Sequence, residues 1–378
     1  MAKLNIVILF GGKSGEHEVS ITSALSVYNA LDKEKYHITL VGIDKEGRWL
    51  LPEQTKILAQ SSNPRLIKLN EAKKTIGLLP FPSEKNLIAA DQSSTPLDLS
   101  VSKPDVVIPI LHGTFGEDGT VQGLLELAGL PYVGSGVLGS AVCMDKELSK
   151  RVLRDSGIPV VPFFVIRAQE FAKKTEQFLD RAEKEFGYPY FVKPANTGSS
   201  VGVHKIKNKS EAIDKIKDSL LYDTKVLVEK AIDAREIECA VLGDEEAKAS
   251  VLGEIIPRHE FYSYEAKYID ENGADLRVPA SDISKEIEGK IRTLAVKAFL
   301  ALECHGMARV DFFIDKRDGN IYLNELNTIP GFTKISMYPK MWEASGLAYP
   351  KLLDELIRLA LKRHDLRSKL KTDYEPKS

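Results

Sequence analysis

Arg309, Asp311, Glu325 and Asn327, close together near the carboxyl-terminal end of the chain, are residue types that can jointly hold a divalent cation with an anion beside it. They lie in GMARVDFFIDKRDGNIYLNELNTIPGFTKIS, from Gly306 to Ser336. This stretch reads as a strand ending near Asp315, the turn-rich KRDGN, and a second strand from about Ile321. Side chains alternate along a strand, so Arg309, Asp311 and Phe313 share one face of the first, and Leu323, Glu325 and Asn327 one face of the second. Pairing Asp315 with Ile321 then sets Asp311 opposite Glu325 and Arg309 opposite Asn327. Facing carboxylates repel unless a cation sits between them. Hard oxygen donors of this kind suit Mg²⁺, which keeps phosphates and waters as its other ligands. Val310, Phe312, Ile314, Tyr322 and Leu326 give the opposite face an apolar cover, so the polar residues are confined to one side.

Other elements must position these groups. LNIVILFGGKSGEHEVSITSALSVYNAL reads as a strand, a glycine turn and a helix, followed by a second strand over Tyr36–Ile43, the start of a βαβ unit. GGKS resembles the end of a P-loop, but Val7 stands where the first glycine is required, so that motif is excluded. Glu16 falls at the helix start, where a carboxylate can serve as a plain cap. PDVVIPILHGTFGEDG is a buried strand to Leu111 with His112 at its carboxyl end, where open α/β sheets bind ligands. The stretch 52–104, rich in Pro, Ser, Asn and Lys, predicts surface strands and loops.

A second unit follows. It has helices over 145–156 and 168–186, a strand Tyr190–Lys193, the loop NTGSSVG, a strand Val203–Ile206 and a helix opened by Ser210. Gly198 and Gly202 around Ser199-Ser200, with Lys193 just before, let backbone amides and an ammonium close on phosphate oxygens. VLVEKAI, IECAVLG and ASVLGEIIP are further strands, with Glu236 and Glu238 on one face. RHEFYSYEAKYIDENGADLRVP reads as a long functional loop, expected to act as a lid over the site. Helices over 284–303 and 347–364 complete the chain, before a basic tail.

At 378 residues with 43% hydrophobic content the chain holds two or three domains with real cores. Lys plus Arg (52) balances Asp plus Glu (54), which points away from nucleic acid or an anionic membrane as partner. The apolar runs are too short or too interrupted for a signal sequence or a membrane span. Cys143, Cys239 and Cys304 lack metal-type spacing and read as buried thiols of a reducing, cytoplasmic compartment.

Taken in order, Lys146, Lys193, GSSVG, EAKY, ARVDFF and NELNTIPGFT resemble the D-alanine–D-alanine ligases of the ATP-grasp superfamily over nearly the whole chain. The resemblance implies an α/β fold: an N-terminal open parallel-sheet domain (1–144) followed by a two-subdomain ATP-grasp fold (145–224 and 225–366), with a tail at 367–378. It implies that Lys146, Lys193, Lys267 and the backbone at Ser199 hold ATP phosphates. Glu229, Lys230 and Ile232 would receive adenine and Glu236 the ribose. Asp311, Glu325 and Asn327 would bind two Mg²⁺ or Mn²⁺. Glu16, linked to Ser199 and Tyr268, would take the ammonium of the first D-alanine, with His112 nearby. Arg309 and the Gly331 amide would stabilise the oxyanion, and Ser336 with Met337 the second carboxylate. The implied activity is ATP-dependent formation of D-alanyl-D-alanine for peptidoglycan, by a cytoplasmic homodimer. A ligase using D-lactate, or a nucleotide-binding module without catalysis, is the alternative. Tyr268 is the residue expected of the dipeptide-forming enzymes. Thr114 departs from the proline of many members.

Overall fold

The structure is a computed structural model and describes residues 2–51, 75–83, 86–90, 103–258, 274–333, 335–371 and 373. LNIVILFG and VVIPI are apolar at nearly every position, the pattern of strands covered on both faces. They form β1 (Leu4–Gly11) and β6 (Val106–Ile110), and β1 pairs in parallel with both β6 and β2 (Tyr36–Ile43). Beyond β2 the sheet continues through β3 (Trp49–Leu50), β4 (Thr75–Leu78) and β5 (Leu87–Ala89), all antiparallel. The expected open parallel sheet thus carries an antiparallel margin supplied by the polar stretch. Helix α1 (His17–Ala30) packs on β1, while α2 (Thr120–Leu127) contributes to the core on the other face. Because β2 and β6 flank β1 on opposite sides, the loops leaving β1 and β6 open into one crevice, and they deliver Glu16 and His112.

Two short helices, α3 (Val137–Met144) and α4 (Lys146–Asp155), lead out of this unit; Asp145 caps α4 by accepting the Leu148 N–H at 3.1 Å. Next comes an antiparallel sheet of β7 (Phe163–Arg167), β8 (Tyr190–Pro194), β9 (His204–Ile206) and β10 (Lys225–Lys230), ordered β7-β10-β8-β9. Helices α5 (Ala168–Phe186) and α6 (Lys209–Ser219) share its apolar core. Strand β10 is internal to this sheet, so a division between residues 224 and 225 would cut it; the break in hydrogen bonding falls after Lys230.

The third sheet is antiparallel, with β11 (Ala234–Gly243), β12 (Lys248–Pro257), β13 (Ala274–Arg277), β14 (Gly306–Asp315) and β15 (Ile321–Asn327) ordered β13-β12-β11-β14-β15. Helix α7 (Lys285–Ala301) covers the face bearing Ile237, Cys239 and Val310. Helix α8 (Met337–Ala344) packs on the opposite face at Ala240 and Leu242. Helix α9 (Tyr349–Ser368) returns to the first unit, where Asp354 accepts from Lys35 at 2.7 Å and from Tyr36 at 2.9 Å. No helix among the described residues is long and apolar enough to cross a membrane. All three cysteines are buried, and Cys143 and Cys304, distant in sequence, bring their sulfurs within 3.4 Å.

The β14–β15 hairpin closes one residue earlier than its spacing predicts. Ile314, not Asp315, pairs with Ile321. A β-bulge compensates: β15 carries one extra residue, Asn324, between the partners of Asp311 and Phe312. Asp311 therefore still faces Glu325, and Arg309 still faces Asn327. The bulge also exchanges the faces of the residues before it. Leu323, expected beside Glu325, is wholly buried with Val310 and Phe312, whereas Tyr322, expected in that core, is only half-buried.

Close backbone packing at α3 generates a paired prediction. A Cβ at Gly139 would come within 2.4 Å of the Glu303 carbonyl oxygen, whereas one at Gly289, in α7, meets nothing within 4 Å. Gly289→Ala should raise stability by about 1 kcal/mol through helix propensity. Gly139→Ala should lower it by about 1–3 kcal/mol through overpacking. Thermal unfolding of the two variants checks the opposite signs.

Candidate active site

The three units enclose one cleft of about 1560 Å³, and every described residue singled out in the sequence for chemistry lines it. At its C-terminal wall, Arg309 donates through Nε and Nη2 to the two oxygens of Asp311 at 2.7 and 2.6 Å, and Asn327 Nδ2 donates to Asp311 Oδ2 at 3.0 Å. Glu325, across the ladder, lies 3.6 Å from the Lys146 ammonium. Burial works against the Arg309 charge, but the carboxylates of Asp311 and Glu238 outweigh it and hold its pKa well above the ordinary value. Two carboxylates and a side-chain amide oxygen are hard donors that fit Mg²⁺ or Mn²⁺, with room for phosphate and water as further ligands. No cluster of three His, Cys, Asp or Glu suited to a metal occurs among the described residues.

The central sheet supplies the cationic wall. Lys193 pairs with Glu229 at 2.5 Å and donates to the bulged Asn324 at 3.3 Å, while Lys146 donates to the Thr197 carbonyl at 2.6 Å. Glu229 is buried at the end of β10 between Lys193 and Lys150, the latter at 3.0 Å and wholly inaccessible. Burial pushes Lys150 down to about 8 against the pull of Glu229. Burial would raise Glu229, but the two ammonium groups hold it below the ordinary carboxylate value. Lys230 and Ile232 continue along the rim with Glu236 beyond, and the Lys230 N–H is engaged by the Pro162 carbonyl at 3.0 Å. In the loop between β8 and β9, Ser199 and Ser200 both adopt left-handed backbone (φ 50° and 59°), which non-glycine residues accept only at a cost. That turn aims Ser199 at the N-terminal unit.

Ser199 Oγ donates to Glu16 Oε1. Glu16 makes no side-chain capping bond to α1, so its carboxylate serves the cleft and not the helix. A Cβ at Gly113 or Gly198 would fall 2.6 or 2.8 Å from Glu16 Oε2, so two glycines form the slot that holds it. His112 is buried, and burial pushes its pKa down despite the Glu16 charge. Its Nδ1 lies 2.9 Å from the Ile329 carbonyl, which can only accept, so the proton sits on Nδ1. Nε2 then accepts from Ser23 Oγ at 3.2 Å, and that oxygen accepts the Phe332 N–H at 3.4 Å. Gly331 and Ser336 meet at the far end, where a Cβ on Gly331 would lie 2.9 Å from Ser336 Oγ; Met337 opens α8 behind them. Lys267 and Tyr268, and most of the expected lid, lie outside the described residues.

Three groups at this site carry no role in the sequence reading. Glu117 accepts the Gly113 N–H at 2.8 Å and the Ile329 N–H at 3.0 Å, and so ties the loop after β6 to the loop after β15. Burial, then the charge of Glu16, pushes its carboxyl up to about 8. Lys150 follows Lys146 by one helical turn, a spacing that would have paired them on one face. Asn324 reaches the cleft only through the bulge, which no local pattern announces. Removing either loop tie should show in amide hydrogen exchange. In Glu117→Ala or His112→Ala, protection at residues 326–333 should fall tenfold or more, while β10 keeps its own; equal exchange there in all three proteins would refute the ties.

Comparison with known proteins bears on the whole chain. Residues 5–135 match the family model for the D-ala D-ala ligase N-terminus, and residues 152–358 that for its C-terminus. A D-alanine–D-alanine ligase of Caldicellulosiruptor bescii is 50% identical over 376 residues, 99% of this chain and 100% of the relative. One of Oceanobacillus iheyensis is 48% identical over 98% of each. Among solved structures, the D-alanine–D-alanine ligase of Coxiella burnetii superposes with TM-score 0.82 at 42% identity, covering 98% of this chain and 97% of that one. The VanG D-Ala:D-Ser ligase of Enterococcus faecalis gives 0.81 at 35%, covering 95% and 100%. With both halves matched and relatives near half-identical end to end, the chain belongs to the D-alanine–D-alanine ligase family, with the ATP-grasp fold.

Proposed function

We propose that this chain joins two D-alanine molecules into D-alanyl-D-alanine at the expense of ATP, supplying the dipeptide for peptidoglycan synthesis. The observation that carries the reading is the convergence in one cleft of the Asp311–Glu325–Asn327 oxygens, Arg309, the lysines 146 and 193, and the Glu16–Ser199 pair. A carboxylate and an ammonium do not condense unaided, so the carboxylate must be activated. The carboxylate of the first D-alanine attacks the γ-phosphorus of ATP to give an acyl phosphate and ADP. The amine of the second D-alanine, having lost a proton, attacks the acyl carbon; the tetrahedral intermediate then expels phosphate and leaves the amide.

Phosphoryl transfer asks mainly for positioning and charge neutralisation. Lys146, Lys193 and the Ser199 loop are suited to the phosphates, with Lys267 as the further phosphate ligand. Glu229, Lys230, Ile232 and Glu236 are suited to the nucleoside. Asp311, Glu325 and Asn327 would hold two Mg²⁺ or Mn²⁺, which neutralise phosphate charge when bound. Glu16, kept in place by Ser199 and assisted by Tyr268, takes the first ammonium, and His112 fixes the Ile329–Phe332 loop against it. Arg309 and the Gly331 amide face the developing oxyanion. Ser336 and Met337, at the amino-terminal end of α8, suit the second carboxylate. We divide the chain into units 1–144, 145–230 and 231–366 with a tail from 367, and propose a cytoplasmic homodimer without nucleic-acid or membrane partners.

Incubation with ATP, Mg²⁺ and D-alanine should release phosphate and dipeptide in equal amounts, with L-alanine inert. Phosphate release with D-serine or D-lactate outpacing that with D-alanine would overturn the acceptor. Arg309→Ala should lower kcat/KM for D-alanine by about a hundredfold or more, the scale of losing one oxyanion contact.

A further inference from the structure

Glu238 stands on β11 beside the metal-type hairpin. It faces Asp311 on β14, and Asp311 faces Glu325 on β15, so three carboxylates form one row across three adjacent strands. Among the described residues, Arg309 is the cation placed between the first two. Its Nε lies 2.7 Å from Asp311 Oδ1 and 3.0 Å from Glu238 Oε1. That nitrogen carries one hydrogen, which cannot align on both oxygens; here the Nε/Nη2 fork is spent on Asp311. With Asn327 also donating to Oδ2, the Asp311 oxygens face donors, whereas a carboxylate that binds a cation must turn its lone pairs to it. The Glu238 side chain is only 5% exposed and Arg309 22%, so neither charge is well served by water. A guanidinium released from Asp311 needs another carboxylate, since an unpaired buried charge is strongly disfavoured.

We propose that Glu238 is a positioning residue for Arg309, the alternate acceptor that receives the guanidinium when Asp311 turns to a divalent cation. The inference rests on the metal-assisted ligase reading above. It places two demands on Glu238: it removes the competition between Arg309 and the cation for Asp311, and it keeps Arg309 aimed into the cleft at the moment the oxyanion develops. Glu238 then favours cation binding through Arg309, not simply through its own negative charge. These two routes differ in one measurable respect. A plain charge acts whether or not Arg309 is present; an acceptor for Arg309 does not.

The test is a double-mutant cycle on Mn²⁺ binding to the full chain with a non-hydrolysable ATP analogue, counting free Mn²⁺ by electron paramagnetic resonance. Glu238→Gln should weaken Mn²⁺ binding about tenfold with Arg309 present and less than twofold in an Arg309→Gln background. Equal weakening in both backgrounds, or none in either, overturns the proposal. If Glu238→Gln does not fold, as judged by circular dichroism, Glu238→Asp keeps the charge and shortens its reach, and weakening is expected only where Arg309 is present. Asp311→Asn separates this inference from the reading beneath it. Wild-type Mn²⁺ binding that is indifferent to Asp311→Asn overturns the metal assignment itself, whereas binding lost in Asp311→Asn but indifferent to Glu238 overturns only the role of Glu238.

Discussion

The structure depends on holding like charges close together on a sheet face that is only partly open to water. Glu238, Asp311 and Glu325 occupy one ladder row, and Glu229 is buried a strand-end away. Carboxylates so placed would protonate or push apart without cations, and the chain answers with Arg309 between two of them, Lys146 near the third, and Lys150 with Lys193 on Glu229. A site built this way is already charge-balanced before substrates arrive. In the proposed function, triphosphate and divalent cations would enter by exchange of partners: lysines would pass from carboxylate to phosphate, and carboxylates from guanidinium or ammonium to metal. Such exchange would keep buried charge compensated throughout, which a rigid set of isolated ion pairs could not do.

Each wall of the cleft comes from a different unit, so the connections between units are as much a part of the site as the side chains. Ser199 reaches Glu16 across the first boundary. Glu117 and His112 reach Ile329 and Ser23 reaches Phe332 across another, three hydrogen bonds that seat the TIPGF loop on the first unit, with Ser23 and His112 also bonded to each other. Glycines 113 and 198 leave the space into which the Glu16 carboxylate fits. Positional accuracy of this kind is what an acyl phosphate in the presence of water requires, because the amine must meet it before hydrolysis does.

Much of this was legible in the sequence because period and chemistry agreed. The apolar runs of β1 and β6, the helix over 168–186 and the alternation around Asp311 gave element type and, for the hairpin, the correct facing pair. That pair was reached through a wrong closure: Ile314, not Asp315, meets Ile321, and the bulge at Asn324 restores the row. A bulge is a compromise between sheet twist and side-chain demands from neighbouring strands, and a local pattern does not carry it. The same limit hid Glu117, whose partner Ile329 lies far along the chain, whereas Lys150 is signalled by its one-turn spacing from Lys146 although its partner Glu229 is distant. A boundary at 224–225 separates strand β10 from the strands it pairs with, because sheet membership, unlike strand character, is set by tertiary pairing.

The central claim is that Asp311 and Glu325, brought face to face by the bulge, share divalent cations with Asn327 beside them. Crystals grown with Mn²⁺ and a non-hydrolysable ATP analogue, with data collected at the manganese absorption edge, test it directly. The account predicts anomalous density between the Asp311 and Glu325 carboxylates within bonding distance of an Asn327 oxygen. Density elsewhere in the cleft, or none while nucleotide is bound and Arg309 still holds Asp311, would contradict it.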